Sequence, residues 1–264
     1  MLVDSHCHLD RLKLGDRSLA EAIEEAQQRQ VSHLLCISIS DKNVEDVLQI
    51  AEQFEQVYAS VGTHPLDIEE GAMSRERLTS LTARAKVVAV GETGLDYYYT
   101  KDTMQAQKDS FALHLEVAAE TALPVVVHTR EAKSDTLDLI ARHGSRQSAG
   151  VLHCFTEDVA MASAALDLGY YISLSGIVTF KNAEALRDVA KFVPIERLLV
   201  ETDSPYLAPI PYRGKPNEPK YVHEVAQYLA ELKGMSFESF ASATTDNFFN
   251  LFNRAIKLDE CRSK

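Results

Sequence analysis

Hydrophobic and polar positions divide the chain into short apolar runs that alternate with longer segments of helical spacing. The apolar runs recur eight times and are rich in β-branched residues. They have no hairpin turns between them and are apolar on both faces, which is typical of strands buried in a parallel sheet. The predicted strands span residues 2–6, 32–38, 57–62, 87–92, 124–128, 151–155, 171–175 and 198–202.

The segments between the predicted strands carry the signals of amphipathic helices. Ser18 and Glu21 have the spacing of a capping box, in which the two side chains satisfy free backbone N–H groups at a helix start. Apolar residues then repeat at intervals of three and four, which places them on one helix face. This spacing occurs in four stripes: Leu19, Ala22, Ile23 and Ala26; Val44, Val47, Leu48 and Ala51; Phe111, Leu115, Ala118 and Ala122; and Val222, Val225, Ala226 and Leu229.

The length of the repeating unit favours a closed barrel. Eight strand and helix pairs in 264 residues average about 33 residues each, close to the shortest βαβ unit. We therefore predict an α/β fold of the (β/α)8 type, a TIM barrel, formed by one domain over residues 1–264. A doubly wound sheet is the alternative, but that class usually has a glycine-rich turn after its first strand. The corresponding segment here reads Asp4-Ser5-His6-Cys7-His8, which favours the barrel.

Composition and charge limit the class of protein. Hydrophobic residues make up 45% of the chain and charged residues 25%, as in an ordinary globular protein. The net charge of −12 argues against a protein that coats DNA, because sequence-independent affinity for nucleic acid comes from a basic surface. A nuclease of this composition would have to attract its substrate locally.

The sequence shows no pattern typical of secretion, membrane insertion or disulfide bonding. The first residues lack the basic and apolar segments of a signal peptide, and no run of about 18 apolar residues occurs. We expect a cytoplasmic protein with no membrane association and no obligate protein partner. The cysteines Cys7, Cys36, Cys154 and Cys261 lack C-x-x-C spacing, so we expect reduced, mostly buried thiols and no thiolate zinc site.

Five of the nine histidines fall at or beside the C-terminal ends of predicted strands. His6 and His8 share a face at the end of the first strand, a pair that alone is weak evidence for a metal site. His64, His128 and His153 follow the third, fifth and sixth strands. Because the C-terminal ends of barrel strands meet at the face where active sites are built, we predict that these histidines converge. Packing roles are expected for the other four, His33, His114, His143 and His223.

Two acidic residues occupy equivalent positions. Glu92 ends the fourth strand and Asp203 follows the eighth. A carboxylate at the end of a buried apolar strand is costly unless it is paired or bound to a metal, so both are predicted ligands. Glu201 shares a face with Asp203 but lies one layer deeper, where it either orients a ligand or forms an ordinary buried ion pair.

Several motifs in a fixed order resemble one family over almost the whole chain. The matching segments are Asp4-Ser5-His6-Cys7-His8-Leu9-Asp10, Gly62-Thr63-His64-Pro65, Gly91-Glu92-Thr93-Gly94-Leu95-Asp96-Tyr97, His128-Thr129-Arg130, His153-Cys154-Phe155-Thr156, Glu201-Thr202-Asp203-Ser204-Pro205-Tyr206, Gly214-Lys215-Pro216-Asn217-Glu218-Pro219 and Thr245-Asp246-Asn247-Phe248. Seen together, these motifs are highly specific. The sequence resembles the TatD family of metal-dependent deoxyribonucleases, a branch of the amidohydrolase superfamily.

The resemblance implies a centre of two divalent metal ions with six protein ligands. The ligands of the first ion are His6, His8 and Asp203, those of the second are His128 and His153, and Glu92 bridges the two ions. Imidazole and carboxylate ligands suit zinc, manganese or cobalt, and a carboxylate-bridged pair also accepts magnesium. The sequence leaves the choice of metal open.

The reaction implied by the resemblance is hydrolysis of a phosphodiester by a metal-activated water. Four neutral imidazoles and two carboxylates carry a charge of about −2, so two divalent ions leave about +2 and attract an anion. The predicted catalytic residues are Asp203, Glu92 and His64. Asp203 accepts the water proton, Glu92 bridges the ions, and His64 orients the phosphate or protonates the leaving oxygen.

Residues near the same mouth are candidates for substrate binding. The candidates are His64, Arg130, Tyr97, Tyr206, Arg213 and Asn217, with Lys133, Lys215, Tyr98 and Tyr212 in the same segments. Arginine pairs with phosphate and tyrosine stacks on unpaired bases, although basic residues on loops are often only solvated. Asn217 and Glu218 either contact substrate or fix the loop over residues 204–220, which contains five of the eight prolines.

Three functions stay open at the level of the sequence. The favoured one is a phosphodiesterase that binds DNA transiently and cleaves its ends or single strands, since an acidic protein has no evident surface for a long duplex. The second keeps the metals but cleaves a carbonyl ester or amide, such as an aminoacylated nucleotide or a cyclic amide. The third is a non-enzymatic scaffold, which the presence of all six candidate ligands disfavours.

Overall fold

Eight parallel strands form the centre of the protein. The structure is a computed structural model that describes residues 1–258, so Cys261 lies outside the described residues. Each strand pairs in parallel with the next one along the chain. The strands are β1 (Leu2–Cys7), β2 (Val31–Cys36), β3 (Val57–Val61), β4 (Val87–Asp96), β5 (Val125–Arg130), β6 (Val151–Leu152), β7 (Tyr171–Leu174) and β8 (Leu198–Val200).

The sheet closes between its first and last strands. Cys7 and Ser204 form a parallel bridge. Beside it, His8 N donates to Ser204 O at 2.8 Å and Asp203 N donates to His6 O at 2.9 Å. The result is the predicted (β/α)8 barrel, and its closure sets Asp203 next to both histidines of the first motif.

Helices surround the barrel: α1 (Leu19–Gln28), α2 (Val44–Gln53), α3 (Arg75–Thr82), α4 (Met104–Thr121), α5 (Lys133–His143), α6 (Val159–Asp167), α7 (Glu184–Phe192), α8 (Val222–Leu232) and α9 (Phe237–Leu251). The predicted capping box is present, since Ser18 Oγ accepts from Glu21 N and the Glu21 carboxylate accepts from Ser18 N. The predicted apolar stripes are buried, except that Leu19 is half-buried and Ala122 is exposed. Ala122 lies just beyond α4, where the backbone turns left-handed with a φ of 53°.

Every strand ends one to four residues away from its predicted end, and the ends of β4, β6 and β8 matter most for the site. Strand β4 continues to Asp96 because it shifts register between Val90 and Thr93 and then pairs with β5 again. Strands β6 and β8 have only two and three residues, fewer than predicted. His153 and Asp203 therefore lie on the loops that follow these short strands. Composition predicts where a strand is, but its end depends on pairing with its neighbours.

The lower part of the barrel interior is apolar and sealed. One hydrophobic cluster takes a residue from every strand: Val3, Leu35, Tyr58, Val88, Val126, Val151, Tyr171 and Leu199. Phe248 of α9 and Phe252 just after this helix pack on the cluster and are fully buried. Burial of each phenyl ring contributes roughly 2–3 kcal/mol of stabilisation. Helix α9 thus closes the N-terminal end of the barrel, the base, and the opposite end is left for a site.

The structure also bears on the expectations of no membrane span and of reduced, mostly buried cysteines. Within residues 1–258, no helix is long and apolar enough to cross a membrane. Cys7 and Cys36 are free and buried, and Cys154 is free and half-buried, in agreement with the sequence analysis.

Candidate metal centre

Glu92 lies at the centre of the C-terminal end of the barrel and is contacted by four imidazoles. His6 Nε2 lies 3.4 Å from its Oε2. His153 Nε2, His64 Nε2 and His128 Nδ1 lie 2.7, 3.3 and 3.4 Å from its Oε1. Burial raises the pKa of the Glu92 carboxyl, but the neighbouring imidazoles, led by His153, together lower it well below its ordinary value. The carboxylate is therefore ionised and available to a cation.

Asp203 holds a second position in the centre, between the two histidines of the first motif. Its Oδ1 lies 3.4 Å from His8 Nε2 and 3.7 Å from His6 Nε2. Its φ of 55° is left-handed, a conformation that aspartate tolerates better than most residues. The preceding Thr202 is fixed by buried Asp4, which accepts its N–H at 2.8 Å and its hydroxyl at 2.6 Å. Burial raises the pKa of Asp4 to about 8, and the sequence analysis did not single this residue out.

Buried imidazole nitrogens in the centre test whether the residues fit a metal. His6 Nδ1, His6 Nε2, His8 Nδ1 and His153 Nε2 are buried and make no hydrogen bond within the described residues. His153 Nε2 lies only 2.7 Å from Glu92 Oε1, yet the pair is not in hydrogen-bonding geometry. Buried polar atoms are normally hydrogen-bonded, so buried ring nitrogens that lie beside carboxylates without bonding to them fit cations held between the two kinds of group.

Three groups of possible ligand atoms, each within 4.8 Å of one another, occur in residues 1–258: His6, His8 and Asp203; His64, Glu92 and His128; and His6, His153 and Glu201. The first is the group that the resemblance implied. The second contains His64 where His153 was expected, and the third contains Glu201. The hydrogen bonds of His64 and Glu201 decide how these two residues act.

His64 presents a hydrogen-bond donor to the centre. Its Nδ1 accepts the N–H of Leu66 at 3.1 Å, so a neutral ring carries its proton on Nε2, which faces Glu92. Burial lowers the pKa of His64 and favours this neutral form. A ring nitrogen that carries hydrogen has no lone pair for a metal, so the geometry favours a donor role over ligation.

Glu201 lies behind His153 and is fully buried. Its Oε1 accepts the N–H of Cys154 at 2.8 Å and lies 3.3 Å from His153 Nδ1. This contact turns the opposite nitrogen, His153 Nε2, toward Glu92. The arrangement corresponds to a residue that orients a ligand.

Asp96 has the same relation to His128, and the sequence analysis missed it. Its Oδ2 lies 3.1 Å from His128 Nε2, which leaves His128 Nδ1 to face Glu92. Its Oδ1 accepts the N–H groups of Tyr98 and Tyr99 at 3.0 and 2.8 Å. The predicted strand ended at Glu92, four residues earlier, so Asp96 did not stand out in the sequence as an acid at a strand end.

The four histidines expected to pack lie outside the three ligand groups found in residues 1–258. His114 is fully buried in α4, where its Nδ1 contacts Ser110 O at 2.7 Å and its Nε2 accepts from Thr63 N at 3.0 Å. It therefore fixes the residue before His64. Burial lowers the pKa of His114 to about 4, so the ring is neutral. His33 lies at the base, His143 pairs with Glu116, and His223 contacts Arg29.

Two glycines let β4 approach β5 closely beside Glu92. A Cβ atom on Gly91 would lie 2.5 Å from the carbonyl oxygen of Val126, and one on Gly94 would overlap the carbonyl oxygen of His128. Both have positive φ values, 129° and 136°. The separation of Glu92 from His128 thus depends on backbone contact between the two strands.

A cavity of about 610 Å³ opens above the centre, and part of the predicted substrate-binding set lines it. His64, Arg130 and Tyr206 face this cavity. The Arg130 guanidinium lies over the Tyr98 and Tyr99 rings, 4.3 and 4.7 Å from their centroids. Arg11, Leu66 and Tyr99 also line the cavity and were not predicted.

The remaining predicted substrate-binding residues lie elsewhere. The Tyr97 hydroxyl donates to Asp135 Oδ2 at 2.7 Å, on the helix layer. Asn217 is fully buried, and its amide donates to Thr202 O and Tyr206 O, so it fixes the 204–220 loop. Arg213 packs over the Phe180 ring at 4.4 Å, outside the cavity. Of the other residues in these segments, Lys133 pairs with Glu157 and Asp158, and Tyr212 stacks on Tyr221.

The chain matches a family model and known proteins over nearly its whole length. The model for TatD related DNase matches residues 3–253. The uncharacterized metal-dependent hydrolase YcfH of Escherichia coli (strain K12) is 48% identical over 254 residues, which cover 96% of each chain. The uncharacterized metal-dependent hydrolase YabD of Bacillus subtilis (strain 168) is 39% identical over 255 residues, which cover 96% of this chain and 99% of YabD.

A solved structure has the same barrel. The crystal structure of YJJV, a TatD homologue from Escherichia coli K12, superposes with a TM-score of 0.89 at 31% sequence identity. The superposition covers 96% of this chain and 98% of that chain. The family match, the level of identity and the clustered ligands agree: the protein belongs to the TatD family of metal-dependent hydrolases.

Proposed function

We propose that the protein hydrolyses phosphodiester bonds in DNA, at ends or in single strands, with two divalent ions held by His6, His8, Glu92, His128, His153 and Asp203. The observation that carries the proposal is the set of buried imidazole nitrogens that lie beside the Glu92 and Asp203 carboxylates without hydrogen bonds, at the floor of an open cavity. The family's description as a DNase supports this choice of substrate.

The charge of the centre favours an anionic substrate. Two carboxylates and four neutral imidazoles carry about −2, so two divalent ions bring the centre to about +2. Ions bound there would supply Lewis acidity toward phosphoryl oxygens and lower the pKa of a water molecule. A single ion would leave the centre neutral, so the proposal depends on double occupancy.

Asp203 is the best placed carboxylate to accept a proton. Its side chain is 15% exposed and lines the cavity, whereas the Glu92 side chain is 3% exposed and surrounded by imidazoles. An acceptor must reach the proton that it removes; Glu92 also lines the cavity, but Asp203 is the more exposed of the two carboxylates. Glu92 is assigned the role of a bridging ligand.

His64 and the rim position the substrate. The Nε2–H of His64 points into the centre, where it can donate to a phosphate oxygen or protonate the leaving oxygen. Arg130 is held by Tyr98 and Tyr99 with its guanidinium at the cavity wall, in reach of a phosphate. Tyr206 is 48% exposed and offers a ring face to an unpaired base.

An activity screen of the metal-loaded protein tests the proposal. The substrates are a single-stranded oligodeoxynucleotide, a blunt duplex, an aminoacyl ester and a cyclic amide. We expect hydrolysis of the DNA substrates, with the single strand cleaved faster than the duplex. The Asp203→Asn protein, purified in the same way, controls for a contaminating nuclease. Hydrolysis of only the ester or amide would overturn the choice of phosphodiester.

A further inference from the structure

A second depression lies beside the cavity, on the same face of the barrel. Its volume is about 390 Å³, and it is formed by the loops that follow β1, β7 and β8. Three cations line it, Lys13, Arg213 and Lys215, and we name it the basic depression. Its other lining residues are Phe180, Pro205, Leu207, Ala208, Gly214 and Pro216.

The basic depression reverses the charge of the surrounding surface. None of its lining residues is acidic. Within residues 1–258, Lys13, Arg213 and Lys215 form no ion pair, whereas nearby Arg17 and Lys220 both pair with Glu25 and Glu218. In a chain of net charge −12, three unneutralised cations around one concave surface form a local site for an anion.

The basic depression is continuous with the cavity above the metal centre. Leu207 lines both of them. A shallow groove also joins them, because Thr156 and Ile177 line the groove and the cavity, while Phe180 and Arg213 line the groove and the basic depression. An extended ligand can therefore follow the surface from one to the other.

The loop that carries Arg213 and Lys215 is fixed by its own contacts. The Arg213 guanidinium rests on the Phe180 ring at 4.4 Å, which leaves its N–H edges unpaired. Lys215 N donates to Tyr212 O at 3.0 Å, and Ile210 N donates to Thr179 Oγ1 at 3.0 Å. Cations on such a loop lose little freedom when they bind an anion.

We propose that the basic depression binds one phosphate of a nucleic acid strand while another phosphodiester of the same strand lies at the metal centre. This inference rests on the proposed function and deepens it, because it makes a strand with several phosphates the preferred substrate over an isolated phosphodiester. Lys13, Arg213 and Lys215 are then specificity residues that hold the strand without touching the reacting atoms. Phosphate contacts of this kind set affinity and position, and base sequence has no part in them.

Kinetics on two substrates test the proposal. The metal-loaded protein is assayed on a ten-residue deoxythymidine strand, dT10, and on bis(p-nitrophenyl) phosphate, which has a single phosphodiester. In the triple variant Lys13→Ala, Arg213→Ala and Lys215→Ala, we expect KM for dT10 to rise about tenfold or more with kcat unchanged. We expect kcat/KM for bis(p-nitrophenyl) phosphate to stay at the wild-type value, which also shows that the variant is folded.

Lys101→Ala is the matched control. Lys101 is exposed and has no ion pair within residues 1–258, but it follows β4 and does not line the basic depression. Lys101→Ala removes one positive charge, as does each single variant Lys13→Ala, Arg213→Ala or Lys215→Ala, so an effect of overall charge would be equal in these four proteins. An equal change of both substrates in the triple variant, or an unchanged KM for dT10, would overturn the proposal.

Binding separates this proposal from the proposed function. If the wild-type protein hydrolyses neither substrate, the phosphodiesterase proposal fails, and the affinity for fluorescent dT10 is then measured against salt concentration. Loss of the contact to this one phosphate should reduce the slope of log Kd against log salt by about 0.7 in the triple variant. That reduction would support the basic depression as a phosphate site, and an unchanged slope would overturn it.

Discussion

His6 at the mouth of the barrel and His33 at its base are both completely buried, but their ring nitrogens have different surroundings. His33 Nδ1 lies 2.9 Å from Ser32 Oγ, and His33 Nε2 accepts from Leu258 N at 3.3 Å. Both nitrogens of His6 lack a hydrogen bond within the described residues, although carboxylates lie close by. Protein groups contact both ring nitrogens of His33 at the base, whereas neither ring nitrogen of His6 at the mouth has a hydrogen bond within residues 1–258.

This difference separates a residue that stabilises the fold from one that binds a ligand. An unsatisfied buried polar group costs about 1–3 kcal/mol, so a fold retains several of them together only where something else completes them. His6, His33 and His114 are all completely buried, so burial alone does not distinguish a ligand from a structural residue. Their hydrogen bonds divide them, and each prediction below tests that division.

The largest expected effect is at Asp203. Asp203→Asn keeps the size and one ligating oxygen but removes the charge and most of the basicity, so kcat on single-stranded DNA should fall by about 10³-fold. His33→Gln at the base is the control and should leave kcat within about twofold, because His33 has only structural contacts. Steady-state kinetics at neutral pH measure both. Near-normal turnover by Asp203→Asn would show that another group accepts the proton.

His64→Ala should have the next largest effect. Loss of a hydrogen-bond donor at the reacting phosphate should lower kcat by about 10²-fold. Because His64 is assigned as a donor and not as a ligand, metal analysis of the reconstituted variant should still give about two ions per chain. A variant that retained only one ion would show that His64 is a ligand, and its tautomer would then be wrongly assigned.

Acid should lower the free energy of unfolding through buried, hydrogen-bonded His114. Burial lowers the pKa of His114 from 6.5 to about 4, so between these values the unfolded chain binds a proton that the folded chain excludes. The contribution is complete above pH 6.5 and is lost as the pH falls toward 4. Between pH 7 and pH 5 the loss is about 2 kcal/mol, a factor of about 30 in the unfolding equilibrium.

Denaturant unfolding of the metal-free protein at both pH values measures this loss. His114→Gln removes the titrating group, so the variant should show a pH dependence that is smaller by about 2 kcal/mol. The other titrating groups are common to both proteins and cancel in the comparison. Equal pH dependence in the two proteins would mean that folded His114 binds a proton as readily as unfolded His114.

The smallest expected effect is at Asp96, which contacts a predicted ligand from behind. Asp96→Asn removes the charge that holds His128 Nε2, and the dissociation constant of the metal should rise about tenfold. Asp135→Asn is the matched control, since Asp135 binds Tyr97 and Lys108 away from the cavity. Titration of the metal-free proteins with manganese gives both constants. Equal affinities of the two variants for manganese would show that Asp96 does not support metal binding.

Much of the fold and the central residues of the site could be predicted from local pattern. A buried parallel strand is apolar on both faces, so each one is visible in the sequence, and a polar residue at its C-terminal end is an exception that stands out. His128 and Glu92 were found in this way. The six predicted ligands lie together in the structure because barrel closure brings all strand ends to one face.

The rest depends on which way a side chain points, and local pattern does not determine that. Tyr97 follows a strand that runs four residues past its predicted end, so its ring points to the helix layer while the Tyr99 ring lines the cavity. His114 contacts Thr63 across 51 positions of sequence. Arg213 lies on a loop whose path is set by buried Asn217, a contact with no periodic signal.

Laboratory evolution of this protein toward another substrate would be constrained at Gly91 and Gly94. Every substitution of either glycine adds a Cβ atom where a carbonyl oxygen of β5 already lies. Clones with such changes would force β4 away from β5 and separate Glu92 from His128, whatever the chemistry of the new side chain. Exposed Tyr206 has no such neighbour constraint. A library that keeps these two codons constant and randomises the rim would therefore lose few clones to misfolding and still vary the surface that meets the substrate.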